Sequence, residues 1–143
     1  MLDAGVSKRA IDVLTPDRCA SYGGFAKVMP VALVHDVPNC GYRIWIGPES
    51  LFYATDTGTL DGIKAKGYDL YMVEANHTKA ELEARRAEKI AAGEFSYEVN
   101  AARNHLSREQ AVDWLYQQTG PNSRYVFLHQ HVDRQPNHSG VAK

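Results

Sequence analysis

Apolar residues fall into short runs, and most of these runs stop at a residue able to do chemistry. Phe25–His35 (FAKVMPVALVH) is largely apolar and ends on His35-Asp36, followed by the turn-forming Val37-Pro38-Asn39. Tyr42–Ile46 and Leu51–Ala54 flank Gly47-Pro48, the spacing of a hairpin, and the second of them runs into Asp56-Thr57-Gly58. Leu70–Val73 leads into Glu74, Asn76 and His77, and Tyr125–Leu128 into His129-Gln130-His131-Val132-Asp133. Runs of this length, bounded by Gly, Pro, Asn and Asp, predict buried strands.

Between the last two runs the period changes. Thr78 and Glu81 form a capping box that predicts a helix over Lys79–Ala92 with Gly93 as its stop. Its apolar stripe is thin, Leu82 and Ile90, so the helix belongs in a solvated outer layer, and Arg85-Arg86 reads as part of that wet face rather than a phosphate clamp. Ser107 and Gln110 form a second capping box, for a helix through about Thr119 with Ala111, Trp114, Leu115 and Gln118 on one face. Glu94–Asn104 is open between loop, short strand and irregular helix. At the start, Leu2–Ser7 reads as a strand end, Lys8–Leu14 as a short helix, and Thr15–Gly24, with Pro16, Cys19, Gly23 and Gly24, as a loop.

These elements predict an α/β chain, a mixed sheet with outer helices, and the 143 residues suggest one domain, 1–143. A net charge of −1 with both signs mixed along the chain provides no basic arm for nucleic acid and by itself names no partner. No apolar segment is long enough to span a bilayer and no secretory pattern opens the chain, so the expected compartment is the cytoplasm. Cys19 and Cys40 lack metal-ligand spacing and are too few for a disulfide framework; reduced thiols are expected.

The chemistry lies at the strand ends, which line the ligand crevice of open α/β sheets. His35, Asp56, Glu74 with His77, and His129 with His131 all follow predicted strands. Imidazoles with one or two carboxylates suit zinc, manganese or iron, and an aspartate can bridge two cations. His105 precedes a helix N-terminus, where dipole and amides favour an anion. Each residue also has a plain reading: Asp56 capping a turn, Glu74 facing solvent, His35 on the surface, His105 helping to cap a helix.

His35-Asp36, Tyr53-Ala54-Thr55-Asp56-Thr57-Gly58, Val73-Glu74-Ala75-Asn76-His77, His105-Leu106-Ser107 and Phe127-Leu128-His129 together resemble the later motifs of the metallo-β-lactamase fold superfamily. The similarity is to its nucleic-acid branch, ribonuclease Z and the small exonuclease-like hydrolases, and Leu2-Asp3-Ala4-Gly5 resembles their earlier strand. The resemblance implies a divalent metal, zinc or alternatively manganese. In it His35 ligates one ion, Asp56 bridges and takes part in catalysis, His129 ligates the second, and His105 contacts phosphate or assists proton transfer.

One part of the pattern is absent. The superfamily's His-x-His-x-Asp-His signature belongs between Gly5 and His35, where this chain has no histidine. The resemblance thus implies a shortened fold with an internal deletion near 15–24, and about two ligands per ion where zinc normally takes four, counting water. His131 and Asp133 are local substitutes. The expected function is metal-dependent hydrolysis of phosphodiesters, with a nucleic-acid substrate class. Two alternatives stay open: an inactive remnant or binding module of the same fold, and a subunit, such as a homo-oligomer's, whose site another chain completes.

Overall fold

Among the described residues six strands lie side by side in strict chain order: β1 (Ala20–Tyr22), β2 (Ala26–Leu33), β3 (Asn39–Ile46), β4 (Glu49–Ala54), β5 (Leu70–Glu74) and β6 (Arg124–Leu128). The computed structural model describes residues 20–22, 26–95 and 97–131. β1 to β4 form an antiparallel meander, whereas β4, β5 and β6 run parallel. Parallel neighbours need a long crossover. Between β5 and β6 it consists of three helices, α1 (Lys79–Ala91), α2 (Glu98–Asn104) and α3 (Arg108–Gln118).

The predicted face of α3 is the buried one: Ala111, Trp114, Leu115 and Gln118. It packs on alternate residues of the parallel strands, with the Trp114 ring 5.1 Å from Phe52 and 6.0 Å from Tyr71. The polar atoms of Tyr71 and Trp114 find partners in this core, as burial requires. Tyr71 donates its hydroxyl to the Ala65 and Gln118 carbonyls at 2.6 and 2.9 Å, and Trp114 donates Nε1–H to the Ile63 carbonyl at 3.0 Å.

Both capping boxes are present. No residue of α1 is buried, so it is the solvated helix its charge pattern predicts. Gly93, at φ 70°, ends it. The open segment 94–104 contains α2, whose buried Glu98 pairs with Lys89 of α1 at 2.7 Å. That tertiary pair has no counterpart in the hydrophobic period, which is why the pattern left the segment undecided.

Several expectations need correction. Within the predicted loop Thr15–Gly24, Ala20–Tyr22 is a strand, because pairing with Val28, Lys27 and Ala26 uses backbone groups and needs no side-chain pattern. β2 stops at Leu33, so His35 stands in the connection after it. β3 begins at Asn39 rather than Tyr42; Gly41 lies inside it, where a Cβ would strike the Tyr53 carbonyl oxygen. Glu74 is fully buried, which removes its solvent-facing reading. The readings of Leu2–Leu14 and of Cys19 and Asp133 fall outside the described residues. Among the described residues no helix is long and apolar enough to cross a membrane.

Candidate metal centre

Strand register explains why distant residues meet. Ala54 is level with Val73 and Val73 with Phe127, so three adjacent parallel strands end at one edge of the sheet. Asp56, Glu74 and His129 are the residues at or just past those ends. His105 comes from the α2–α3 connection, which is tied down alongside: Asn76 N–H donates to the Leu106 carbonyl at 2.9 Å and Arg108 N–H to the His77 carbonyl at 2.8 Å. Gly58 permits the approach, since a Cβ there would collide with the Arg103 carbonyl oxygen.

Glu74 organises the group. Its Oε1 lies 2.7 Å from His105 Nδ1 and 2.9 Å from His129 Nδ1. Its Oε2 accepts Thr57 N–H at 2.9 Å and Leu106 N–H at 3.4 Å. Asp56 Oδ1 faces the same point, 3.0 Å from His129 Nδ1 and 3.9 Å from His105 Nδ1. Exposure is graded across the group: the Glu74 side chain is 0% exposed, His105 21%, His129 44% and Asp56 45%. The floor is therefore sealed and the side bearing Asp56 and His129 opens to solvent.

Two of the four hold an unusual backbone. Asp56 and His129 are the non-glycine residues with positive φ among the described residues, at 55° and 50°. Left-handed geometry costs a side-chain-bearing residue on the order of 1–3 kcal/mol and persists only where its surroundings hold it. Behind Asp56 stands Thr57, fully buried, whose hydroxyl accepts Val34 N–H at 3.2 Å and donates to the Thr59 carbonyl at 2.8 Å.

The group suits a divalent cation. Asp56, Glu74, His105 and His129 each offer a donor atom, all within 4.8 Å of one another. Four donors around zinc at about 2.1 Å stand about 3.4 Å apart. The four nitrogen–oxygen distances, 2.7, 2.9, 3.0 and 3.9 Å, straddle that spacing. A buried carboxylate calls for a counter-charge. Among the described residues Glu74 meets ring nitrogens and backbone amides, and no Lys or Arg.

The remaining candidates lie around this group. His35 stands beside it, its ring centroid 5.4 Å from that of His105. Its Nδ1 is 2.5 Å from Asp36 Oδ1 without the alignment of a hydrogen bond, and its buried Nε2 has no partner. His131, exposed, donates its backbone N–H to the Asn76 carbonyl at 2.8 Å and lies outside the four. His77 is buried against Ser107, and burial, with Arg85 nearby, pushes its pKa below the ordinary 6.5. The strand-end pattern groups Glu74 with the candidate ligand types, whereas the resemblance gives Glu74 no ligand role and gives His105 a phosphate contact or proton transfer. Both give the centre donors that a ligand count based on His35, Asp56 and His129 lacks. The signal available for Glu74 was an acidic residue closing an apolar run, Leu70–Val73.

No protein-family model matches the chain. No curated protein matches it in sequence. In fold it is similar to the metallo-β-lactamase fold protein YhfI from Bacillus subtilis, with a TM-score of 0.58 and 16% identity over 82% of this chain. The match spans 41% of the length of YhfI. The architecture is thus a shortened metallo-β-lactamase-like α/β fold.

Proposed function

From that fold and the four-residue group at its sheet edge, we propose that the chain is a divalent-metal-dependent hydrolase acting on phosphodiester bonds. The observation that carries the metal reading is the buried Glu74 carboxylate with both His105 and His129 on its Oε1 and Asp56 facing the same point. Asp56, Glu74, His105 and His129 would hold the ion. When bound, a divalent cation polarises a phosphoryl oxygen and lowers the pKa of water. The substrate class rests on the resemblance of the strand-end motifs.

The residues divide the remaining work. Two backbone amides on Glu74 Oε2 hold that carboxylate in place, with its Oε1 at the common centre beside both ring nitrogens. Asp56 and His129, half-exposed, define the side from which a substrate enters. His105 acts as a ligand by position. The proton-transfer role its resemblance implies is separable from that: His105→Ala that keeps metal but loses turnover identifies a proton carrier, and loss of both identifies a ligand.

One observation favours a second reading, that another chain completes the site: no histidine lies between Gly5 and His35, where the His-x-His-x-Asp-His signature of the resemblance belongs. To test the first, manganese and zinc are titrated against a chromogenic phosphodiester and a short single-stranded oligonucleotide, with Asp56→Ala as background. Metal-dependent turnover above that background supports the hydrolase. Metal binding without turnover in a monomer refutes activity of the chain alone and favours completion.

A further inference from the structure

The two left-handed residues of the centre share a second feature. Asn39 donates its side-chain Nδ2 to the Asp56 carbonyl at 2.7 Å and to the Thr55 carbonyl at 3.0 Å. Asn76 donates its Nδ2 to the His129 carbonyl at 2.9 Å. The carbonyl of each strained residue is therefore gripped by a side-chain amide from a neighbouring strand end, Asn39 opening β3 and Asn76 following β5.

Resting on the metal reading above, we propose that Asn39 and Asn76 are positioning residues. Each clamps the carbonyl of one ligand so that its backbone stays left-handed and its side chain stays aimed at the common centre. An amide suits this task because it is a neutral donor. A Lys or Arg in its place would put positive charge beside Asp56 and Glu74 and compete with the cation they are to bind.

Both asparagines are themselves tied down. The Asn39 Oδ1 accepts Cys40 N–H at 2.8 Å, which sets its amide group toward the 55–56 turn. Asn76 donates its backbone N–H to Leu106 and accepts that of His131. It thereby joins the segment carrying His105 to the one carrying His129. Groups that orient metal ligands typically change affinity about 10- to 100-fold when lost.

Asn→Asp isolates the clamp, since it keeps shape and the Oδ1 acceptor but removes the donor. It also adds negative charge, which by itself would strengthen cation binding, so a loss of affinity cannot be an electrostatic side effect. Asn122→Asp, exposed and before the start of β6, at the opposite end of that strand from His129, controls for charge.

Two readouts are taken on folded protein: zinc affinity by competition with a chromogenic chelator, and the three-bond HN–Hα couplings of Asp56 and His129, which report φ without any metal. We expect Asn39→Asp to move the coupling of Asp56 alone and Asn76→Asp that of His129 alone. Each variant should weaken zinc binding about 10- to 100-fold, with Asn122→Asp like wild type. Unmoved couplings overturn the clamps whatever the metal does. Moved couplings with unchanged zinc affinity overturn their positioning role. If wild type takes no zinc, the metal reading fails, and the couplings still decide the clamps.

Discussion

Glu74 Oε1 and His105 Nδ1 stand 2.7 Å apart across 31 residues of sequence. This contact joins the end of β5 to the entry of α3 and converts two separate capping and strand-end motifs into one site. It also sets the buried carboxylate at the base of the group, where its charge has the greatest effect on a bound cation and the greatest desolvation cost without one.

Glu74→Gln should therefore separate stability from function. The amide oxygen can still accept from Thr57 and Leu106, while the charge is gone. Metal binding should fall by orders of magnitude, and the chelator-treated chain should keep its stability within about 1 kcal/mol or gain, since a buried charge has been removed. Denaturant melts with and without chelator, alongside a zinc titration, check both halves. A large loss of stability in the chelated variant would mark Glu74 as structural.

Gly58→Ala should act at a distance. The added Cβ meets the Arg103 carbonyl, so the α2–α3 connection has to move. Overpacking of this kind costs about 1–3 kcal/mol, and His105 should lose its contact with Glu74. Stability and the His105 ring resonances measure the two effects; a variant matching wild type in both would show the approach to be slack.

Much of the frame was legible because its determinants are local. The two capping boxes and the buried face of α3 follow from spacing, and the strands from apolar runs between turn residues. The site was legible only in part. Asp56 and His129 announced themselves as chemistry at strand ends. That Glu74 lies beneath both depends on the register of β4, β5 and β6, a non-local property. His35 stands in the connection after β2, and its ring lies beside that of His105, a placement that also depends on non-local packing. β1 and α2 were hidden because backbone pairing and the Glu98–Lys89 pair fix them.

Ser107→Ala removes the acceptor for Gln110 N–H and half of a capping box. It should cost about 1 kcal/mol of stability. His105→Ala, in chelator, should cost less, because its ring is partly exposed and its contacts serve the centre. Urea melts decide; if His105→Ala is the more damaging, the histidine is a structural residue.

His77 makes stability depend on pH. Burial lowers its pKa from the ordinary 6.5, so the unfolded chain binds its proton more readily than the folded one. The folded state therefore has its full stability above about pH 6.5 and loses stability as the pH falls through that value toward the lower folded-state pKa. His77→Gln in chelator should flatten the difference between about pH 8 and about pH 5.5. An unchanged slope would show that other groups set the acid sensitivity.

The central claim is that Asp56, Glu74, His105 and His129 form one metal centre, and metal content tests it most directly. Protein purified without chelator is assayed for zinc and manganese per chain, beside Asp56→Ala and His131→Ala. We expect bound metal in wild type and in His131→Ala, whose ring lies outside the four-residue group, and little in Asp56→Ala. Equal metal in the two variants, or none in wild type, would contradict the claim.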